Sequence, residues 1–269
     1  MTYRNLLLIL LVSTFLLGCE KVIEVDLDEE APQLAIEAFL GAGEQDFVVR
    51  VSQSGNYFGA DGPAGLDNAS VLLTDETAAV DYVLASRGDG TFGILLNGQP
   101  THRYRLTVDV NGETYTTTAT IPTAVALAEL ETELGMTRPF EDEGFLIFTR
   151  FQDPADTPNF YRFLFARNDT LQLAGEDLRV LDDALFDGGY ARVPLSRETF
   201  PSGTVVDVIL WHLEEQGYNY LDALADIVGE GQGPMAATAA PGNPTNNWPE
   251  GVLGTFTTYN ADTLRVEIP

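Results

Sequence analysis

The run from Arg103 to Ile121 constrains the fold of this chain more than any other segment. Arg103-Tyr104-Arg105-Leu106-Thr107-Val108-Asp109-Val110 alternates polar and apolar residues, Asn111-Gly112 follows, and Glu113 to Ile121 alternates back to a stop at Pro122. Successive side chains of a strand point to opposite faces, so a period of two fits a strand with one buried face and does not fit a helix. Asn-Gly supplies two residues that tolerate positive φ, which a two-residue hairpin turn requires. Further strand candidates lie upstream: the apolar run Leu34–Leu40, the β-branched Phe47–Ser52, and Ala69–Thr74, Val80–Ala85 and Thr91–Leu96. Gly41-Ala42-Gly43, Asp75-Glu76, Gly88-Asp89-Gly90 and Asn97-Gly98 punctuate them. Short strands at this spacing, with no helical period between them, predict an immunoglobulin-like β-sandwich over residues 33–122.

Residues 123–269 predict a second antiparallel β domain with one short helix. Pro122 to Pro139 reads as an entry segment, and Ala124 to Leu134 allows a short helix there. Strands are expected at Phe145–Phe151, Phe160–Arg167, Leu178–Leu181, Thr204–Leu213, Gly251–Tyr259 and Thr263–Ile268. Leu213, Tyr220, Leu221, Leu224, Ile227 and Val228 recur at helical spacing, which places an amphipathic helix near 213–228. Two long loops, Ser54–Asp67 and Gly229–Pro249, are rich in Gly, Pro and Asn, and loops of this length often carry function.

The first 18 residues carry one positive charge, Arg4, and then an apolar stretch from Leu6 to Leu17. This is the layout of a secretory signal, and the stretch is short for a membrane span of about 20 residues. Leu16-Leu17-Gly18-Cys19 resembles the lipobox of bacterial lipoproteins, in which the cysteine is lipidated and becomes the first residue after cleavage. The expected organisation is therefore a signal peptide at 1–18, a lipidated N-terminus and acidic spacer at 19–32, and the two β domains. Cys19 is the only cysteine, so a disulfide scaffold, a Cys-based zinc site and a Cys nucleophile are excluded downstream. The 41 acidic and 14 basic residues give a net charge of −27, which repels phosphate backbones and argues against nucleic acid as a partner. It also leaves acyl chains, rather than charge, as the attachment to a membrane. Glu20, Glu24, Asp26, Asp28, Glu29 and Glu30 follow the cysteine closely. They resemble a surface-export signal of some Bacteroidota lipoproteins, and equally suit a charged spacer.

Catalytic motifs are sparse. His102 and His212 lack a His or Cys partner at metal-ligand spacing, so each reads as a structural side chain. There is no Gly-x-Ser-x-Gly elbow, no Walker loop, and no Gly-x-Gly-x-x-Gly between a strand and a helix. Paired acids occur at Glu141-Asp142-Glu143, at Asp153 with Asp156, and at Asp182-Asp183 with Asp187. Asp153, Asp156, Asp182 and Asp183 are candidate calcium ligands, being loop oxygens suited to a hard cation, though without the Gly and Glu positions of an EF-hand. Otherwise no cofactor is expected. Tyr57, Phe58 and Trp248 lie in loops and are candidate partner or ligand contacts, because exposed aromatic rings stack on sugars or anchor interfaces. The alternative for each is a ring folded back onto the core.

Several segments together resemble one family across nearly the full length. They are Cys19 through Leu27, the strand from Gln33 to Leu40, the Tyr104-to-Pro122 hairpin, Tyr161-Arg162-Phe163, Leu213 through Leu221, and Asn243-Pro244 leading into Gly251-Val252-Leu253-Gly254-Thr255-Phe256. These resemble the Bacteroidota lipoproteins classed as "domain of unknown function 4249". The resemblance implies an outer-membrane lipoprotein, often associated with a TonB-dependent receptor, and carries no catalytic residues. The expected function is thus a lipid-anchored outer-membrane protein facing the cell exterior, acting without catalysis as accessory or ligand-presenting partner of a TonB-dependent β-barrel transporter. An autonomous adhesion, structural or glycan-binding module is the alternative, and a paired-carboxylate hydrolase stands last.

Overall fold

The computed structural model describes residues 32–55, 62–135, 144–173, 178–196, 199–230 and 242–269. The chain runs through β1 (Leu34–Gly41), β2 (Gly43–Gln53), β3 (Ala64–Gly65), β4 (Ser70–Asp75), β5 (Val80–Val83), β6 (Ala85–Gly88), β7 (Thr91–Gly98), β8 (Arg103–Val110) and β9 (Glu113–Thr120). It continues through β10 (Leu127–Leu134), β11 (Phe145–Gln152), β12 (Phe160–Arg167), β13 (Thr170–Gln172), β14 (Arg179–Asp182), β15 (Tyr190–Pro194) and β16 (Val205–Leu213). A helix, α1 (Glu215–Glu230), precedes the last strand, β17 (Val252–Glu267).

Strand order identifies the first sandwich. One sheet contains β1-β2-β7-β6, and the facing sheet runs β5-β4-β8-β9. With β1 as strand A, these are the orders A-B-E-D and C′-C-F-G of an immunoglobulin-type sandwich. Inward residues of both sheets, among them Ile36, Phe47, Val49, Leu73, Phe92 and Leu106, form one core. Asn111 and Gly112 both take positive φ, 55° and 85°, as the expected hairpin turn requires. At the start of β8 the buried Tyr104 hydroxyl accepts the Gln99 N–H at 2.9 Å. This is the tyrosine corner of such sandwiches. Burial pushes the Tyr104 phenol up to about 12, so it acts as a fixed, neutral hydrogen-bonding group.

The second core lies between the three-stranded sheet β10-β11-β15 and the strands β12, β16 and β17. Phe151, Tyr161, Phe163 and Phe200 fill it, with Phe151 edge-on to Tyr161 at 4.8 Å. Ala124–Leu134 does not form the helix that its composition allows. Leu127–Leu134 is a strand paired with β11, because Glu131 and Glu133 on one face meet Arg150 and Arg192. Cross-strand pairing outweighs the weak helix propensity of the segment.

Residues 32–269 form one compact unit. The two C-terminal strand candidates are a single 16-residue strand, and β17 ties the two cores together. Its first half pairs in parallel with β1 and its second half antiparallel with β16. The polar stretch Asn260-Ala261-Asp262 suggests a break but serves the crossing. Asn260 Nδ2 donates to Pro122 O at 3.0 Å, and Asp262 accepts the Leu127 N–H at 2.7 Å. The chain leaves the first sandwich near Pro122, yet Trp248, Val252 and Phe256 return to the first core.

Helix α1 packs on β12, β14 and β17. Tyr218 stacks on Phe160 at 4.9 Å and Leu221 is buried. A Cβ at Gly217 would lie 2.4 Å from Thr257 Cγ2, so only glycine lets the helix approach this closely. Among the described residues, no helix is long and apolar enough to cross a membrane.

Candidate functional site

A cleft of about 440 Å³ opens where the first sandwich meets α1. Its walls are Arg105 from β8, Thr116, Thr117 and Thr118 from β9, Gln216 and Asn219 from α1, and the segment Thr245-Asn246-Asn247. Every lining residue carries a polar side chain, and none is aromatic. It can donate and accept hydrogen bonds through hydroxyls, neutral amides and one guanidinium. No nucleophile–base pair stands within this lining.

Each wall is held by its own bonds. The Asn246 and Asn247 side chains are spent on backbone groups: Nδ2 of Asn246 donates to Val252 O at 2.8 Å, and Asn247 brackets Phe256 through donation at 2.6 Å and acceptance at 3.0 Å. Thr117 Oγ1 donates to Asn247 O at 2.6 Å, which fixes this segment against β9. Arg105 pairs with Glu76, which also holds Arg103 at 3.1 Å, and Arg103 donates to Thr118 Oγ1 at 2.9 Å. Glu214 closes one end by accepting the Thr120 N–H at 3.1 Å. Its other oxygen, Oε1, is buried without a hydrogen-bond partner, and burial pushes the carboxyl up to about 7.

A second cluster lies beside Tyr161 of the second core. Carboxylate oxygens of Asp153, Asp183 and Asp187 come within 4.8 Å of one another. The candidate calcium set is therefore only partly assembled, since Asp153 and Asp183 converge while Asp187 takes the place of Asp156 and Asp182. Asp156 instead donates its N–H to Asp187 at 3.2 Å, and Asp182 accepts the Ala184 N–H at 3.3 Å. The buried members are already satisfied by the chain. Asp153 accepts the Tyr161 hydroxyl and the Gly188 N–H at 3.0 Å; Asp183 accepts the Asn159 N–H at 2.7 Å. Burial and the bond to Asp153 raise the Tyr161 phenol well above the usual range. Oxygen donors suit a hard cation, but these hydrogen bonds account for the cluster's geometry by themselves.

Trp248 is not an exposed contact. It is buried, and its indole N–H donates to Ile36 O at 3.1 Å, because a large ring with one polar atom gains most when both find partners in the core. Tyr57, Phe58, Cys19, Glu20, Glu24, Asp26, Asp28, Glu29 and Glu30 lie outside the described residues. The two histidines are structural in placement. His102 pairs with the buried Asp75 at 2.8 Å; His212 is buried, stacks on Tyr161 at 5.5 Å, and bonds Thr123 O at 2.7 Å. Sequence reasoning missed the cleft. The outward alternation of Thr114, Thr116 and Thr118 was readable, but its meeting with Gln216 and Asn219 is set by tertiary packing across 100 residues of chain.

The strand order and tyrosine corner define an immunoglobulin-like β-sandwich protein with a second, fused antiparallel β unit and a polar cleft beside its helix. The chain belongs to the family described as "Domain of unknown function (DUF4249)", whose model matches residues 20–265. No curated protein sequence matches it. Among solved structures, the crystal structure of bovine butyrophilin aligns with 87% of this chain and 95% of its own, at 8% identity and a TM-score of 0.21. The fold assignment rests on the strand order and not on that likeness.

Proposed function

We propose that this protein is a non-enzymatic, lipid-anchored binding protein of the outer membrane. It faces the cell exterior and serves as accessory or ligand-presenting partner of a TonB-dependent transporter. The Leu16-Leu17-Gly18-Cys19 sequence, placed directly after an apolar leader, carries the anchoring part of this reading. The resemblance of the segments from Cys19 to Phe256 to outer-membrane lipoproteins supports the transporter. The polar cleft supports binding over chemistry, since its lining offers hydroxyls, neutral amides and one guanidinium and pairs no nucleophile with a base.

Carboxyl-directed cross-linking on intact cells tests the reading. The chain has one lysine, Lys21, but 41 acids, so amine-directed reagents would miss it. Cross-links to an outer-membrane β-barrel are expected. A protein that reacts at the surface but links to no barrel would instead be an autonomous adhesion or structural module. A protein that reacts only after the membrane is opened would face the cell interior.

A further inference from the structure

We propose that the open edge of β9 is a docking site for an extended polypeptide segment of a partner, which joins the four-stranded sheet as a fifth strand. The inference names the chemistry of the partner and rests on the reading above only for which protein carries the segment.

The sheet order β5-β4-β8-β9 leaves β9 at an edge. In an antiparallel pair, alternate residues turn both backbone groups toward the neighbour or away from it. Two residues calibrate the alternation here. Ile121 bonds toward β8, accepting the Thr101 N–H and donating to His102 O. Thr120 turns away, donating to Glu214 and accepting from Thr258 Oγ1 at 2.8 Å. The pairing with β8 has no bulge from Thr120 back to Glu113, so Thr118 and Thr116 also turn away from β8. Both line the cleft, and their outward N–H and C=O groups have no partner among the described residues.

Exposed edges are usually blunted by Lys, Pro or a bulge, and β9 carries none of these. What bounds it is the capped Thr120 at one end and, alongside, the Asn246-Asn247 wall. Two outward residues span about 7 Å, enough to pair with a strand of three or four residues. Backbone pairing would give affinity, and Arg105, Gln216, Asn219 and Thr245 would select polar side chains at alternate positions. An oligosaccharide fits less well, because no ring lines the cleft to stack on a sugar face.

The test uses the full acylated chain in mild detergent and, as probe, a phage-displayed random octapeptide library, with selected peptides then synthesised. Micromolar binding is expected, with slowed amide exchange at Thr116 and Thr118. Methylating alternate backbone nitrogens of the peptide should weaken binding at least tenfold in one phase and leave it intact in the other. Thr118→Pro removes an N–H that points away from β8, so the sheet should persist while affinity falls at least tenfold. If that variant does not fold, the exchange and methylation data on the unaltered chain decide. Failure to select any peptide that binds better than millimolar overturns the inference. So does binding that leaves Thr116 and Thr118 unprotected, or saturation of the cleft by a glycan-array hit. A barrel that co-purifies equally well with Thr118→Pro would sink the strand-addition site and leave the accessory role standing. Peptide binding with no barrel would do the reverse.

Discussion

The indole N–H of Trp248 donates to the carbonyl oxygen of Ile36 at 3.1 Å, joining residues 212 positions apart. The bond sits where the chain, having built the second core, returns to seal the first. Trp248→Phe should cost about 1 kcal/mol, the net worth of one buried hydrogen bond. Trp248→Ala should cost about 3–5 kcal/mol, because it also opens a cavity. Urea denaturation of the two variants measures both.

Gly217 sets how closely α1 approaches β17. Gly217→Ala gains helix propensity, yet its methyl would meet Thr257 Cγ2 at 2.4 Å. We expect a net loss of about 1–2 kcal/mol, as for a small overpacking change. Thr257→Ser removes the clashing methyl, so the double variant should recover part of the loss, and a double-mutant cycle reads that coupling.

Glu214 makes stability depend on pH. Its folded pKa, about 7, lies above its value of 4.5 in an open chain, so folding favours the protonated form. The contribution is full below about 4.5 and is lost as pH rises through about 7. Glu214→Gln should flatten the stability profile across that window, by roughly 1–3 kcal/mol given partial exposure of the group. His212 acts oppositely. Burial lowers its pKa, so its contribution is present above 6.5 and is lost as pH falls through the folded value.

Asp153 holds the loop around Gly188 and the hydroxyl of Tyr161. Asp153→Asn turns one acceptor into a donor facing a donor and should cost about 1–3 kcal/mol. Because the chain satisfies the buried acids, adding millimolar calcium to chelator-treated protein should leave the melting temperature unchanged. A rise of several degrees would make the cluster a cation site.

Local pattern carried the first sandwich well. The Arg103–Ile121 hairpin announces itself by alternation and its Asn-Gly turn, Leu34–Leu40 as an apolar run closed by glycines, and Phe160–Arg167 by its aromatics, signals that act over a few positions. Long-range effects stayed hidden. Asn260 and Asp262 look like a break between strands until they are seen binding Pro122 and Leu127. Ala124–Leu134 reads as an entry segment or a short helix until Arg150 and Arg192 supply cross-strand partners for Leu127–Leu134. Trp248 looks like a loop anchor until its ring finds the first core. The cleft depended on three segments far apart in sequence, and Asp187 joined Asp153 and Asp183 only through the fold.

The most direct measurement is affinity purification of the native, acylated protein from outer membranes in mild detergent, with mass spectrometry of both the chain and everything bound. The account predicts a mature chain beginning at an acylated Cys19, together with a near-stoichiometric TonB-dependent β-barrel. An acylated chain recovered alone, reproducibly and under several detergents, would contradict the accessory role. A chain without acyl mass at Cys19 would contradict the anchor itself.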